Sequence, residues 1–262
     1  MSPDPDGTGV VRFERRDAVA YITFDRPAAR NAMTEEMYGQ LVTSLDRAAA
    51  EPGLRVAALR GECGTFVAGT DIARFTTFDS GDDGLRYERR IDSVIAALEA
   101  LPVPTIAVVE GHAAGAGLLI AAACDLRLCT PDARFGVPIA RTVGNCLSMA
   151  STARLLAHFG VARTKALLLD ARFMSANEAF AAGFVLEIVE PDRLHDRVDE
   201  LCERIVSHAP VTIDVTREAI RRIVSTGLPD GDDLIRRAYE SADFREGVAA
   251  FLAKRRPRWE GR

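Results

Sequence analysis

The sequence has few cysteines and no cluster of basic residues. Its five cysteines are an odd number, and none forms a Cys-x-x-Cys pair, which argues against a disulfide framework or a zinc site. Lysine and arginine are scattered and the formal net charge is −5, so the basic surface typical of nucleic-acid-binding proteins is missing. We therefore expect no metal and no nucleic-acid partner.

Long hydrophobic runs are also missing. The longest uncharged run of small apolar residues, Ala113–Cys124, is well short of the roughly 20 residues of a membrane-spanning helix. Residues 1–7 are acidic and turn-forming, whereas a secretory signal is basic and then apolar. With reduced thiols, these features predict a cytoplasmic protein that has no membrane partner.

The residues that are present favour an α/β fold. Hydrophobic residues make up 48% of the chain, enough for a full core. Short β-prone runs alternate with helical patterns, which predicts a largely parallel sheet. The predicted elements are a hairpin of Val10–Phe13 and Val19–Phe24 around the turn 14–17, a helix capped by Thr34, a strand at Val56–Arg60, a polar loop at 76–84, a helix at about 85–101, and a strand at Thr105–Val109.

The last third of the chain has a different pattern. Ser175 and Glu178 fit a capping box for a short helix that ends at Gly183, and Val185–Val189 is the final predicted strand. From residue 192 onward, apolar residues recur at helical spacing. The sequence thus predicts a core domain at 1–191 and a helical region at 192–262.

Two turns built from small residues indicate a binding site. Gly111–Gly117 precedes the apolar run Leu118–Cys124, and Phe66–Ile72 follows the strand at 56–60. Small residues let a ligand approach the backbone, and a helix N-terminus leaves N–H donors unpaired. Such turns also open many helices that merely pack closely. Together, however, these two would supply a pair of convergent N–H groups for an oxyanion.

With both turns in place, the chain resembles the crotonase superfamily, the enoyl-CoA hydratase/isomerase family. The resemblance extends over nearly the whole length, through the segments 25–33, 66–72, 111–125, 135–138 and 251–255. It implies a ClpP/crotonase-like fold of repeated ββα turns, with a C-terminal helical region that builds trimers or dimers of trimers. It also implies a lyase or isomerase that takes a coenzyme A thioester as its substrate and uses no cofactor.

The resemblance assigns roles to particular residues. The backbone N–H groups of Thr70 and Ala116 would bind the thioester oxygen. The residues that would lie along the CoA arm are Ala68, Asp71 and Ile72. The CoA phosphates would contact Arg30, or Lys254 of a neighbouring subunit. Exposed helix or loop charges are an equally good interpretation of Arg30 and Lys254.

The chain departs from the family at its usual acid–base residues. Hydratases of the family carry two glutamates where this sequence has Leu119 and Ile139, and neither side chain can move a proton. On the same wall, Arg141 would neutralise a substrate carboxylate and Asn145 would position a water, or both would serve only as loop and cap residues. The alternatives to a hydratase or isomerase are an acyl-CoA decarboxylase or thioester hydrolase, and a non-catalytic acyl-CoA-binding protein.

Other ionisable residues near the turns have structural interpretations that we favour. His112 is expected to be a packed, hydrogen-bonded histidine and Asp71 an acceptor for backbone N–H groups. Glu110 is expected to be structural, and Cys146 to be an inert thiol.

Overall fold

A six-stranded sheet forms the centre of the computed structural model, which describes residue 7, residues 9–225 and residues 232–258. The order across the sheet is β1-β2-β3-β4-β6-β9. The first pair is antiparallel and the others are parallel, as predicted. The strands are β1 (Val10–Arg16), β2 (Val19–Asp25), β3 (Val56–Gly61), β4 (Thr105–Val109), β6 (Leu126–Cys129) and β9 (Glu187–Ile188).

A second sheet of three short strands contains part of the first glycine-rich turn. Its order is β5-β7-β8, with bounds β5 (His112–Ala114), β7 (Arg134–Gly136) and β8 (Phe173–Ser175). The sequence predicts a single turn at 111–117, but His112–Ala114 pairs with β7 as a parallel strand. The turn that opens the next helix is therefore reduced to Gly115.

Helices follow most strands and fill the C-terminal region. They are α1 (Glu35–Ala50), α2 (Gly81–Glu99), α3 (Ala116–Ala123), α4 (Ile139–Thr142), α5 (Met149–Leu169), α6 (Ala176–Ala181), α7 (Leu194–Val206), α8 (Pro210–Ser225), α9 (Asp232–Tyr239) and α10 (Ala242–Leu252). Two 3₁₀ segments lie at Pro27–Ala29 and Ile72–Thr77. None of the described helices is long and apolar enough to cross a membrane.

The predicted helix starts are confirmed by their caps. The Thr34 side chain accepts a hydrogen bond from the Met37 N–H at 3.2 Å. Ser175 and Glu178 form the reciprocal bonds of a capping box, and Gly183 follows with a φ of 73°. These caps need only neighbouring residues, which is why local sequence identifies them.

Three predicted boundaries are wrong. Residues 14–16 continue strand β1, because cross-strand pairing extends to Arg16 and Val19. The hairpin turn is therefore confined to residues 17 and 18. Helix α2 begins inside the predicted 76–84 loop because Ser80 and Asp83 form a capping box there. The last strand is only Glu187–Ile188. The sequence also predicts breaks between C-terminal helices at 227–229 and at Gly231, and these positions lie outside the described residues.

Hydrophobic residues cover both faces of the large sheet. On β3, Ala57 and Leu59 point into the main core with α1, α2 and α3, whereas Val56 and Ala58 point to the opposite face, covered by α7. Every residue of α3 is buried. The helix that follows the glycine turn is therefore a fixed element inside the core.

Candidate active site

The two small-residue turns lie side by side. The Val67 N–H donates to the His112 carbonyl, and the Ala114 N–H donates to the Val67 carbonyl, both at 3.0 Å. A β-carbon built on Gly115 would lie 3.7 Å from the Cα of Gly69. The structure therefore brings together two turns that are about forty-five residues apart in the sequence.

The backbone at Thr70 is oriented by a parallel bridge with Met33. The Met33 N–H donates to the Gly69 carbonyl, and the Asp71 N–H donates to the Met33 carbonyl, both at 2.8 Å. Because backbone groups alternate in direction along an extended segment, the Thr70 N–H points away from Met33. On the other turn, Ala116 is the first residue of α3, so its N–H is one of the first-turn donors that have no acceptor within the helix.

Glycine is required where the turns approach each other. A β-carbon on Gly117 would lie 2.0 Å from the Val67 carbonyl oxygen. Gly115 has a φ of 52° and a ψ of −118°, a conformation that other residues rarely adopt. The small residues therefore serve close backbone packing as well as access to the turn.

Buried tyrosines hold the side chain of Thr70. Its hydroxyl lies 2.6 Å from the Tyr38 hydroxyl and 2.7 Å from the Tyr87 hydroxyl. Tyr38 is 2% exposed and Tyr87 is 7% exposed, and burial raises the pKa of both phenols. Both tyrosines therefore remain neutral, and the Thr70 backbone is held in place from the core side.

The predicted CoA-contacting residues are divided between two places. Arg30 is exposed, and its carbonyl accepts from the N–H of half-buried Ala68 at 3.1 Å, so these two residues are adjacent. Ile72 is half-buried against the main core. Lys254 is exposed after the end of α10, so it lies on an element that neither turn includes.

The Asp71 carboxylate accepts a backbone N–H, as expected from the sequence. One carboxylate oxygen accepts from the Ala73 N–H at 3.1 Å, and the other lies 2.8 Å from the Arg26 guanidinium. Both oxygens are therefore engaged, which argues against Asp71 as a base.

Leu119 and Ile139 are apolar residues in apolar surroundings. Leu119 is 2% exposed within α3, and Ile139 is the first residue of α4 and packs against the main core.

Burial raises the pKa of Glu110 and lowers that of His112. The His112 ring packs edge-on against Phe173, with 5.6 Å between centroids, in agreement with a packed histidine.

Arg141 and Asn145 follow Ile139 on the same segment but differ in burial. Arg141 is exposed, and Asn145 is half-buried. Cys146 beside them is half-buried against the core. Of these residues, Asn145 is the one whose amide is joined to a buried polar cluster, because its Nδ2 donates to the Tyr239 hydroxyl at 3.1 Å.

That cluster includes a residue that sequence reasoning missed. Glu88 is 2% exposed, and it accepts hydrogen bonds from the Tyr239 hydroxyl at 2.7 Å and from the Ser148 N–H at 3.0 Å. Burial raises its pKa to about 8. The sequence did contain a signal, since Glu88 lies between Leu85 and Ile91 on the buried face of α2.

No site of the usual metal-ligand composition accompanies these residues. Within residues 9–225 and 232–258, no three His, Cys, Asp or Glu side chains are grouped so that they could hold a metal ion.

Comparison with known proteins identifies the family of this chain. The family model for enoyl-CoA hydratase/isomerase matches residues 14–262. The chain is 31% identical to 2,3-dehydroadipyl-CoA hydratase of Escherichia coli over 95% of this chain and 97% of that protein. It is 32% identical to a putative enoyl-CoA hydratase of Thermus thermophilus, over 92% and 97% of the two chains.

Solved structures give the same result for the fold. A methylmalonyl-CoA decarboxylase in complex with 2-nitronate-propionyl-CoA superposes with a TM-score of 0.87 at 26% identity, covering 96% of this chain and 98% of that one. An enoyl-CoA hydratase/carnithine racemase from Magnetospirillum magneticum superposes with a TM-score of 0.78 at 30% identity, covering 96% of each chain. The mixed α/β architecture is therefore the crotonase fold, and the chain belongs to the enoyl-CoA hydratase/isomerase family.

Proposed function

We propose that this enzyme binds an acyl-CoA so that the thioester oxygen accepts hydrogen bonds from the Thr70 and Ala116 N–H groups, and that it stabilises the thioester enolate. The observation that carries this proposal is the contact between the two turns, in which Gly69 and Gly115 adjoin. An enolate carries negative charge on the thioester oxygen, and fixed donors in a dry site stabilise it. Loss of one such donor typically raises the barrier by about 3 kcal/mol.

Coenzyme A would lie along the outer side of the second turn. Ala68, Asp71 and Ile72 would follow the pantetheine arm, because they flank the Thr70 donor in sequence. Arg30 is exposed beside Ala68, where its guanidinium would meet a phosphate. Lys254 would reach the phosphates from a neighbouring subunit of a trimer or of a dimer of trimers.

The reaction that best fits the apolar residues Leu119 and Ile139 is one that forms the enolate without removing a proton. Decarboxylation of an α-carboxyacyl-CoA does this, because the C–C bond supplies the electron pair. Arg141 would then neutralise the substrate carboxylate. The similarity to methylmalonyl-CoA decarboxylase structures, with TM-scores of 0.87 and 0.86, supports this second, narrower candidate.

A panel of acyl-CoA thioesters, followed by mass spectrometry, tests both levels of the proposal. The panel comprises crotonyl-CoA, 3-hydroxybutyryl-CoA, methylmalonyl-CoA and butyryl-CoA. Loss of CO₂ from methylmalonyl-CoA supports decarboxylation, whereas release of free CoA from butyryl-CoA indicates a hydrolase. Binding of every thioester without turnover would indicate a carrier and contradict the enolate proposal.

The oxyanion donors are tested by replacing Ala116 with proline. Proline is tolerated at the first position of a helix and removes the N–H. The matched control is Ala242→Pro, at the first position of α10. We expect kcat on the substrate identified by the panel to fall roughly a hundredfold or more for Ala116→Pro and little for the control. A folded Ala116→Pro enzyme that retains full turnover would show that the assignment is wrong.

A further inference from the structure

A chain of hydrogen bonds connects Glu88 to Asn145 through a single hydroxyl. Tyr239 donates its one proton to Glu88 at 2.7 Å and accepts from the Asn145 amide nitrogen at 3.1 Å. Tyr239 is 2% exposed, as is Glu88. A hydroxyl has only one proton to donate, so the direction of the whole chain depends on whether Glu88 carries a proton.

The far end of this chain is an acceptor without a partner. Among the residues that the structure describes, the Asn145 Oδ1 atom is buried and has no hydrogen-bond partner. Buried polar atoms are nearly always satisfied, and leaving one unpaired costs about 1–3 kcal/mol. This atom is therefore suited to receive a hydrogen bond from a bound ligand.

Two features link Asn145 to the proposed acyl site: its place in the chain and a packing contact of its partner Tyr239. It follows α4, whose first residue is Ile139. Its partner Tyr239 packs against Tyr87, with 6.3 Å between ring centroids, and the Tyr87 hydroxyl contacts Thr70. The hydrogen-bonded group that contains Asn145 therefore packs against the group that holds Thr70, the residue of the proposed oxyanion donor.

We propose that Asn145 is a specificity-determining residue for the acyl group, and that Glu88, acting through Tyr239, sets which end of its amide faces that group. The inference rests on the proposed function, since the acyl group must be near Asn145 to be recognised. Glu88 and Tyr239 are positioning residues in this scheme, because neither would touch the substrate.

Each protonation state of Glu88 selects one orientation. An ionised Glu88 only accepts, so Tyr239 donates to it, Asn145 donates Nδ2 to Tyr239, and Oδ1 faces the ligand. A protonated Glu88 donates to the Tyr239 oxygen, so Tyr239 donates to Asn145 Oδ1, and a half-turn of the amide brings Nδ2 toward the ligand. The Ser148 N–H bond to the other carboxyl oxygen is kept in both states.

The groups around Glu88 place the change of orientation in an accessible pH range. Tyr38, Tyr87 and Tyr239 surround it from α1, α2 and α9, Asp92 lies one turn along α2, and the Ser148 N–H faces it from the start of α5. None of these facing groups is a cation. Burial and the nearby Asp92 raise the pKa of Glu88, whereas its hydrogen bonds from Tyr239 and Ser148 lower it. Burial is the largest of these effects, and the resulting pKa is about 8.

The consequence is a pH-dependent preference for acyl groups. Below about pH 8, Asn145 presents a donor, which favours an acyl group that bears an ether, carbonyl or carboxylate oxygen. Above that pH it presents an acceptor, which opposes such an oxygen and tolerates a hydroxyl. An apolar acyl group is insensitive to the orientation.

Calorimetric binding of three thioesters between pH 6.5 and 9.5 tests the proposal. The probes are 3-methoxybutyryl-CoA, which only accepts at its 3-position, 3-hydroxybutyryl-CoA, which also donates there, and butyryl-CoA as the apolar reference. We expect the affinity for the methoxy compound, relative to butyryl-CoA, to fall about tenfold as the pH rises through about 8. The relative affinity for the hydroxy compound should remain nearly constant.

Two variants connect this change to the chain of hydrogen bonds. Glu88→Gln donates its amide to Tyr239 at every pH, so the relative affinity should keep its low-pH value throughout. Tyr239→Phe breaks the connection and should also remove the pH dependence. Either buried substitution could lower stability, so thermal melts identify which variant remains folded. One folded variant is sufficient to test the connection.

The outcomes separate this inference from the proposed function. If butyryl-CoA binds but the wild-type preference is independent of pH, the role of Asn145 is wrong and the acyl-CoA site stands. A pH-dependent preference that survives in a folded Glu88→Gln or Tyr239→Phe protein overturns the inference as well. Failure of all three thioesters to bind overturns both proposals.

Discussion

The hydroxyl of Thr70 lies 2.7 Å from the hydroxyl of Tyr87 in helix α2. The second turn is thereby fastened to the core by a side chain, while its backbone N–H is directed away from the Met33 bridge. The Thr70 N–H is the donor proposed for the thioester oxygen. Its position is therefore fixed by the hydrogen bond that the Thr70 side chain forms with Tyr87.

This relationship predicts the effect of Thr70→Val. Valine keeps the shape but leaves two buried tyrosine hydroxyls without the threonine partner, which should lower the free energy of unfolding by about 1–3 kcal/mol. A displaced N–H should lower kcat roughly tenfold with little change in KM. The control is Thr43→Val, since Thr43 is exposed on α1. A folded Thr70→Val protein with wild-type kcat would show that the hydroxyl does not position the donor.

A pair of glycine substitutions tests the contact between the turns. Gly117→Ala would place a methyl group 2.0 Å from the Val67 carbonyl oxygen, whereas Gly39→Ala in α1 meets nothing within 4 Å. We expect the first to lose about 2 kcal/mol or more of stability together with turnover. The second should gain up to about 1 kcal/mol. Thermal melts and turnover measure both, and equal effects would contradict the close approach.

The sequence predicted the elements that depend on neighbouring residues. The caps at Thr34 and Ser175 and the alternation of strands and helices are local, and the structure confirms them. The small-residue turns were also visible, because glycine is needed both for positive φ and for close packing.

The buried polar cluster could not be predicted in the same way. Glu88 and Tyr239 are 151 residues apart, and no spacing rule connects them. Helix α5 was also missed, since its buried residues are few and Gly160 interrupts it with a φ of 67°. Such features depend on how helices pack, which a single sequence does not encode in any local pattern.

The stability of the protein should fall with rising pH because of Glu88. Its pKa is about 8 in the folded chain, above the ordinary value near 4 of an unfolded glutamate. Between these values the folded state holds a proton that the unfolded state has lost, so this contribution is complete below about pH 4 and is lost as the pH rises to about 8. Urea denaturation of wild type and Glu88→Gln should show a shallower decline for the variant over this range. Parallel curves would contradict the assignment.

The C-terminal region is predicted to form trimers, and helix α8 presents an apolar surface that would serve as the interface. Helix α8 exposes apolar side chains, among them Val211 at 72% and Ile223 at 77%. Exposed apolar patches typically mark interfaces. We expect light scattering to give three or six chain masses and Ile223→Asp to shift the distribution toward single chains. The control Thr43→Asp, at an exposed position of α1, should leave the distribution unchanged. A single-chain mass for the wild type at micromolar concentration would contradict this prediction.

Crotonyl-CoA should be hydrated slowly by this enzyme, although it belongs to a family of hydratases. Leu119 and Ile139 occupy the positions where the resemblance places the two acid–base glutamates, and general acid–base catalysis typically contributes about 10² to 10⁴-fold. Donors at Thr70 and Ala116 alone should therefore support only residual hydration, measured by the loss of enoyl absorbance. Rapid hydration by the wild type would contradict this prediction and direct mutagenesis to Glu110 and His112.

The double variant Leu119→Glu with Ile139→Glu then tests whether the rest of the site is intact. A gain in hydration would show that the thioester already lies in a productive position and that only the proton-moving groups are missing. Leu119 is 2% exposed, so its glutamate should have a raised pKa, and the gain should increase with pH as that carboxyl ionises. Leu119→Gln with Ile139→Gln is the matched control, because it introduces similar polar volume without an ionisable group. A gain in both variants would mean that polarity, not acid–base chemistry, limits hydration at this site.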